Sequence, residues 1–97
     1  MSDIMDDNIH YNKVISENME KGFQVRLVVN EFRDVLYFQL RKYFLTYTGE
    51  WCPSREGISI PAEMENIYNV LDGLMEICSI AEGEEVIKKY AERLSHD

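Results

Sequence analysis

From Phe23 the chain alternates with a period of two. Phe23, Val25, Leu27 and Val29 fall on one side and Gln24, Arg26, Val28 and Asn30 on the other, the pattern of a half-buried β-strand. A second run repeats it, with Leu36, Phe38 and Leu40 on an apolar side and Tyr37, Gln39, Arg41 and Tyr43 opposite. The short connection around Arg33-Asp34 predicts an antiparallel hairpin. Its second face gathers Arg26, Asn30, Phe32, Tyr37, Gln39, Arg41 and Tyr43 on one surface, expected to be open to solvent. Upstream, residues 11–15 predict a short strand, and Lys21-Gly22 punctuates the chain before the hairpin.

Downstream, residues 46–49 make a polar loop and Trp51 begins another extended piece. Pro53-Ser54 and Gly57 interrupt it before Ile58-Ser59-Ile60 resumes, which predicts a bulged or exposed strand. Pro61 suits the first turn of a helix in which Met64, Ile67, Tyr68, Leu71, Leu74, Met75 and Cys78 recur at three- and four-residue spacing. That stripe reads as the core face of an amphipathic helix packed on the sheet, with Gly73 as a bending point and Gly83 as its end. A second short helix follows over 84–94. Its Glu84–Lys88 and Glu85–Lys89 pairs have helix-supporting spacing, and Val86 or Ile87 with Tyr90 and Leu94 gives it a weak apolar edge.

With 97 residues and 45% apolar content, the chain has room for one small domain whose core is marginal. Burial shared between two copies relieves that shortage, so a homodimer is expected. The organisation expected is an acidic flexible N-terminus over 1–10, a folded domain over 11–82 and a short C-terminal helix over 83–97. The acidic start lacks the basic and apolar stretches of a secretion signal, and no apolar run is long enough to cross a membrane. The chain therefore reads as soluble and intracellular.

Candidate chemistry is sparse outside the strands. Cys52 and Cys78 are too far apart for a metal-ligand pair and too few for a disulfide framework, so both read as reduced thiols. His10 and His96 have no acidic or thiol partner at catalytic spacing. No nucleophile, paired base or metal cluster stands out, and neither an enzyme nor a cofactor is expected.

The formal charge of -8 is distributed unevenly. Residues 1–20 carry one Lys against five acids, 21–57 carry six cations against four acids, and 58–97 carry three cations against nine acids. A site for nucleic acid therefore has to sit on the central strands, because affinity for phosphate comes from local Lys and Arg. There Arg33, Arg41, Lys42 and Arg55 are interleaved with Phe32, Tyr37, Phe38, Tyr43, Phe44 and Trp51, the mixture with which single-strand binders take phosphates and stack bases. Bland readings stand beside that one. Phe32 and Phe44 fit a small core, Arg41 and Lys42 fit a solvated strand edge, Trp51 fits a loop anchor, and the acidic ends fit ordinary solvated surface.

At Phe32-Arg33, at Leu40-Arg41-Lys42-Tyr43-Phe44 and at Pro53-Ser54-Arg55-Glu56-Gly57-Ile58-Ser59-Ile60, the chain resembles the transcriptional positive cofactor four family of single-strand DNA-binding coactivators. The resemblance covers residues 26–74. It implies an α+β fold, a curved four-stranded antiparallel sheet followed by a kinked amphipathic helix, with the short C-terminal helix as an addition. It also implies a homodimer whose β-ridges bind single-stranded DNA, melted duplex or RNA with low sequence preference. Carried over by position, Phe32 and Phe44 match base-stacking aromatics, and Arg26, Arg33, Arg41 and Arg55 match backbone-contacting cations. Tyr37 joins them from the polar face of the hairpin, whereas Phe44 has the parity of the apolar face and needs a twist or bulge to reach the same strand of DNA.

Val35, Cys52 and Glu56 stand where lysine is usual in the family. Losing about three phosphate contacts flattens the expected salt dependence by roughly two units of log-log slope, leaving more of the binding to stacking at about 1–3 kcal/mol per base. The Ser- and Lys-rich N-terminal region of some members is also missing. The function expected is a coactivator-like single-strand binder that partners transcription-machinery proteins, nuclear if the source is a eukaryote. The alternative is a protein-protein interaction module of the same fold that has lost most DNA affinity.

Overall fold

Four strands and two helices make up the fold: β1 (Ile9–Asn18), β2 (Phe23–Phe32), β3 (Val35–Leu45), β4 (Trp51–Pro61), α1 (Met64–Ile80) and α2 (Gly83–Ser95). They are seen in a computed structural model whose described residues are 8–80 and 83–95. The strands form one antiparallel sheet in the order β1-β2-β3-β4, so each sheet neighbour is also a sequence neighbour and the fold is α+β. By contacts the chain divides into a sheet unit, Met1–Glu63, and a helical unit, Met64–Asp97.

The central hairpin pairs without a break from Phe23 opposite Phe44 to Phe32 opposite Val35. Arg33 and Asp34 close it with φ of 52° and 67°, the left-handed pair of a two-residue type I′ turn whose twist matches that of the strands. At the other hairpin, Gly22 takes φ 73° and the Asn18 side chain accepts a hydrogen bond from the Lys21 N–H at 2.9 Å. The outer strands are less regular. β1 shifts register between Val14 and Ser16, and the β3–β4 ladder shifts between Arg41 and Tyr43, where the interruptions at Pro53-Ser54 and Gly57 predict a bulge.

Several boundaries differ from those the sequence suggests. β1 runs over ten residues rather than five, because Asn12, Ser16 and Asn18 are polar enough to hide a strand that pairs along its whole length. Pro61 ends β4 and the helix begins at Met64. The Pro61 ring lacks only a donor, and the next ladder bond runs from Ala62 N–H to Leu36 C=O at 2.8 Å. Gly73 does not interrupt α1, and Gly83 opens α2 instead of ending α1. Glu84 and Glu85 in the first turn of α2 and Arg93 in its last suit the helix dipole. The flexible segment expected over 1–10 lies outside the described residues up to position 7, and the expected boundary at 82–83 adjoins positions 81–82, which also lie outside them.

The largest departure concerns which side of the sheet is covered. Cross-strand pairing stacks Phe23, Phe44 and Cys52 in one row and Leu27, Leu40 and Ile58 in the next, as the alternation requires. Yet Leu36, Leu40, Phe44 and Ile58 are exposed, Ile58 to 67%. The opposite, polar side, expected to be open, holds the buried residues: Gln24, Val28, Asn30, Gln39, Arg41 and Tyr43. Burial there is tolerated because the polar groups satisfy one another. In the helical unit α1 and α2 are in contact, but no residue of α1 is buried.

Candidate nucleic-acid interface

The polar face is built from two short repeats of one pattern. Gln24-Val25-Arg26 lies on β2 and Gln39-Leu40-Arg41 on β3; a spacing of two puts each glutamine on the same face as its arginine. Arg26 Nε donates to Gln24 Oε1 at 2.8 Å, and Arg41 Nε donates to Gln39 Oε1. Each glutamine then passes its own amide onward. Gln24 Nε2 donates to Glu17 Oε1 at 2.6 Å, and Gln39 Nε2 donates to Asn30 Oδ1 at 2.7 Å.

The register sets Arg26 directly opposite Arg41. Each guanidinium leans outward. Arg26 Nη1 reaches Asn12 Oδ1 on β1 at 3.5 Å, and Arg41 Nη1 donates to the Ser54 carbonyl on β4 at 3.2 Å. Arg26 also lies over the Tyr43 ring, 4.3 Å from its centroid, a favourable position for a cation against a π face. Asn30 is fully buried, and Gln39 and Arg41 are 2% and 8% exposed.

Gly57 explains how Arg41 fits. A Cβ at position 57 meets the Leu40 carbonyl oxygen at 2.6 Å and Arg41 Cζ at 2.8 Å, so only glycine lets the guanidinium lie across β4. Ser54 holds the neighbouring irregularity together. Its Oγ donates to the Lys42 carbonyl at 2.8 Å and accepts the Glu56 N–H at 3.1 Å. Lys42 sits over the Phe23 ring at 4.5 Å and 3.6 Å from Glu56 Oε1, an exposed pair of little energetic weight.

Of the residues singled out from sequence, Arg26, Tyr37 and Arg41 share this face by register, and Phe32 has the same parity at the hairpin end. Arg33 is exposed in the turn, 5.0 Å over the Phe32 ring. Arg55 is exposed in the irregular part of β4. Phe44 pairs with Phe23 and Cys52 in an apolar-side row. Sequence reading passed over Gln24, Asn12, Ser54 and Gly57 as parts of the site. The repeated Gln-x-Arg was the one signal of the first; the others depend on cross-strand neighbours.

A family model described as Transcriptional Coactivator p15 (PC4) matches residues 19–66. The fold also matches a solved structure described as the bacteriophage T5 homolog of the eukaryotic transcription coactivator PC4, implicated in recombination-dependent DNA replication. The two are 33% identical, with a TM-score of 0.71, over 88% of this chain and 94% of that one. The chain belongs to the PC4 family. Comparison with curated proteins finds no match. The likeness to the phage PC4 homolog extends well beyond the residues the family model matches. Among the described residues no group of His, Cys, Asp and Glu is placed to hold a metal ion, and no helix is long and apolar enough to cross a membrane.

Proposed function

We propose that this PC4-family chain binds single-stranded DNA with low sequence preference, through Arg26, Arg33, Arg41 and Arg55 to phosphates and Phe32, Tyr37 and Phe44 to bases. The observation that carries the reading is the β2–β3 register, which gathers Arg26, Arg41, Tyr37 and Tyr43 on one face of one sheet in a chain of net charge -8. Cations for the backbone beside flat rings for unpaired bases are what a single-strand binder needs. Phe44 contributes from the strand next to the Arg41–Tyr43 irregularity, where the ladder changes register.

The binding unit is a homodimer. Leu36, Leu40 and Ile58 on the sheet and Ile67, Leu71, Leu74 and Ile77 on α1 are exposed in the single chain, and a second copy supplies apolar cover. The biological setting is the opening of DNA strands in transcription, as a coactivator, or in replication of the kind in which the phage PC4 homolog is implicated.

Fluorescence anisotropy with a labelled oligo-dT strand tests this. Binding at low salt that weakens as salt rises is the expected result. A protein that stays folded and dimeric but leaves the oligonucleotide free down to low salt overturns it, in favour of a protein-protein interaction module on the same fold.

A further inference from the structure

We propose that the Glu56 carboxylate is an internal stand-in for a DNA phosphate: it holds Lys42 beside Phe44, and Lys42 becomes a further backbone contact when a bound strand displaces it. Glu56 thereby sets how tightly the Phe44 end of the site binds. The inference rests on the single-strand reading above, in particular on base stacking at Phe44. It deepens that reading by naming the cation that serves this base and the residue that restrains it.

The side of the sheet decides which cation can serve Phe44. Phe44 is exposed and lies in the apolar-side row with Phe23 and Cys52, whereas Arg26 and Arg41 face each other in a row of the polar side. A phosphate next to a base stacked on Phe44 is therefore on the wrong side for either arginine. Lys42 is on the right one. A spacing of two on β3 gives it the parity of Phe44, and its Nζ lies 4.5 Å from the centroid of the Phe23 ring, the cross-strand partner of Phe44. A cation set among flat rings is the combination that takes a phosphate and a base together.

The β3–β4 ladder is distorted at the point that delivers Glu56 to this cation. Gly57 pairs with Arg41 and Pro53 with Tyr43, so Ser54, Arg55 and Glu56 stand together opposite Lys42, where regular pairing has room for a single residue. The Ser54 hydroxyl fixes this bulge on both sides, donating to the Lys42 carbonyl and accepting the Glu56 N–H. Glu56 Oε1 is thereby brought to 3.6 Å from Lys42 Nζ, an approach too long for a direct hydrogen bond. Both side chains reach solvent, and a loose, exposed pair is readily exchanged. An ammonium is a point charge with rotatable donors, so it can turn from a carboxylate to a phosphate without rearranging the strand. The charged pair also borders the Leu40–Ile58 row, which leaves Lys42 and Phe44 beyond the apolar patch assigned to the second copy.

Oligo-dT binding across a salt series tests this. While Glu56 answers the charge of Lys42, trading one anion for another releases few counterions, and Glu56→Gln turns the Lys42 contact into a net gain. That variant is expected to bind several-fold tighter at low salt and to add about 0.7 to the log-log slope. Glu50→Gln removes the same charge from an exposed position just before β4 and is expected to change binding little; equal tightening by both variants reduces the effect to net charge and overturns the proposal. Lys42→Ala added to Glu56→Gln is expected to return the slope to that of the parent, and a slope that stays raised overturns Lys42 as the contact. Phe44→Ala added to Glu56→Gln is expected to erase most of the gain, because neighbours in one site couple; a gain that persists overturns the link to Phe44. Melting temperature and mass by light scattering are expected to match between the parent and Glu56→Gln. A changed mass assigns the pair to contact between copies and overturns the proposal. Parent binding with Glu56→Gln no tighter sinks this inference alone and leaves the single-strand reading in place, whereas no binding by either protein removes both.

Discussion

Arg33 and Asp34 occupy a turn whose two positions favour Asn and Gly. Holding Arg33 at φ 52° costs on the order of 1 kcal/mol, because a left-handed backbone brings Cβ too near the next carbonyl. The side chain placed there is an exposed cation over Phe32, which fits a residue kept for contact rather than for turn stability. Arg33→Asn with Asp34→Gly is therefore expected to raise the urea unfolding midpoint, by the equivalent of roughly 1 kcal/mol, while weakening oligo-dT binding. A variant that gains no stability removes the strain argument. Gly57 presents the opposite case, since space rather than φ limits it. Gly57→Ala is expected to lose about 1–3 kcal/mol by overpacking against Leu40 and Arg41, measured by the same unfolding curves; an unchanged midpoint contradicts the close approach.

Among the elements, β4 has the most to lose from a single hydrogen-bonding group. Its irregular segment is tied down by the Ser54 hydroxyl, which serves the Lys42 carbonyl and the Glu56 N–H together. Ser54→Ala leaves both without that partner and is expected to cost about 1 kcal/mol. Its signature is faster hydrogen exchange at the Glu56 amide than in the β2–β3 ladder, and uniform protection in the variant rules out the clamp. The elements also show which patterns were legible. β2 and β3 were readable to within a few residues because apolar and polar side chains alternate without a break. The ends of β1 carry no such signal because a polar strand lacks that alternation, and Pro61 is ambiguous because proline fits a strand end as well as a first helical turn.

For the whole molecule the exposed apolar surface decides the outcome. Leu40 and Ile58 face each other across β3 and β4 and are both exposed in the single chain. Under the proposed pairing, Leu40→Glu is expected to convert a dimer of twice 11.4 kDa into monomer, or to prevent folding if the single chain cannot stand alone. Multi-angle light scattering reads the first outcome and far-ultraviolet circular dichroism the second. A variant that remains a folded dimer places the interface elsewhere. The helical unit carries an exposed apolar stripe of its own, Ile67, Leu71, Leu74 and Ile77 on α1.

The order of strands and helices, the sheet's two faces and the family's residue motifs were all set by the sequence, because alternation, helical spacing and turn chemistry are local properties of the chain. Which face is covered was not. Burial of Asn30, Gln39 and Arg41 depends on hydrogen bonds that cross from one strand to another, Gln39 to Asn30 and Arg41 to the Ser54 carbonyl, and no single segment contains both partners of either. The facing of Arg26 with Arg41 likewise required the register, because a slip of one residue would send either arginine to the other side of the sheet.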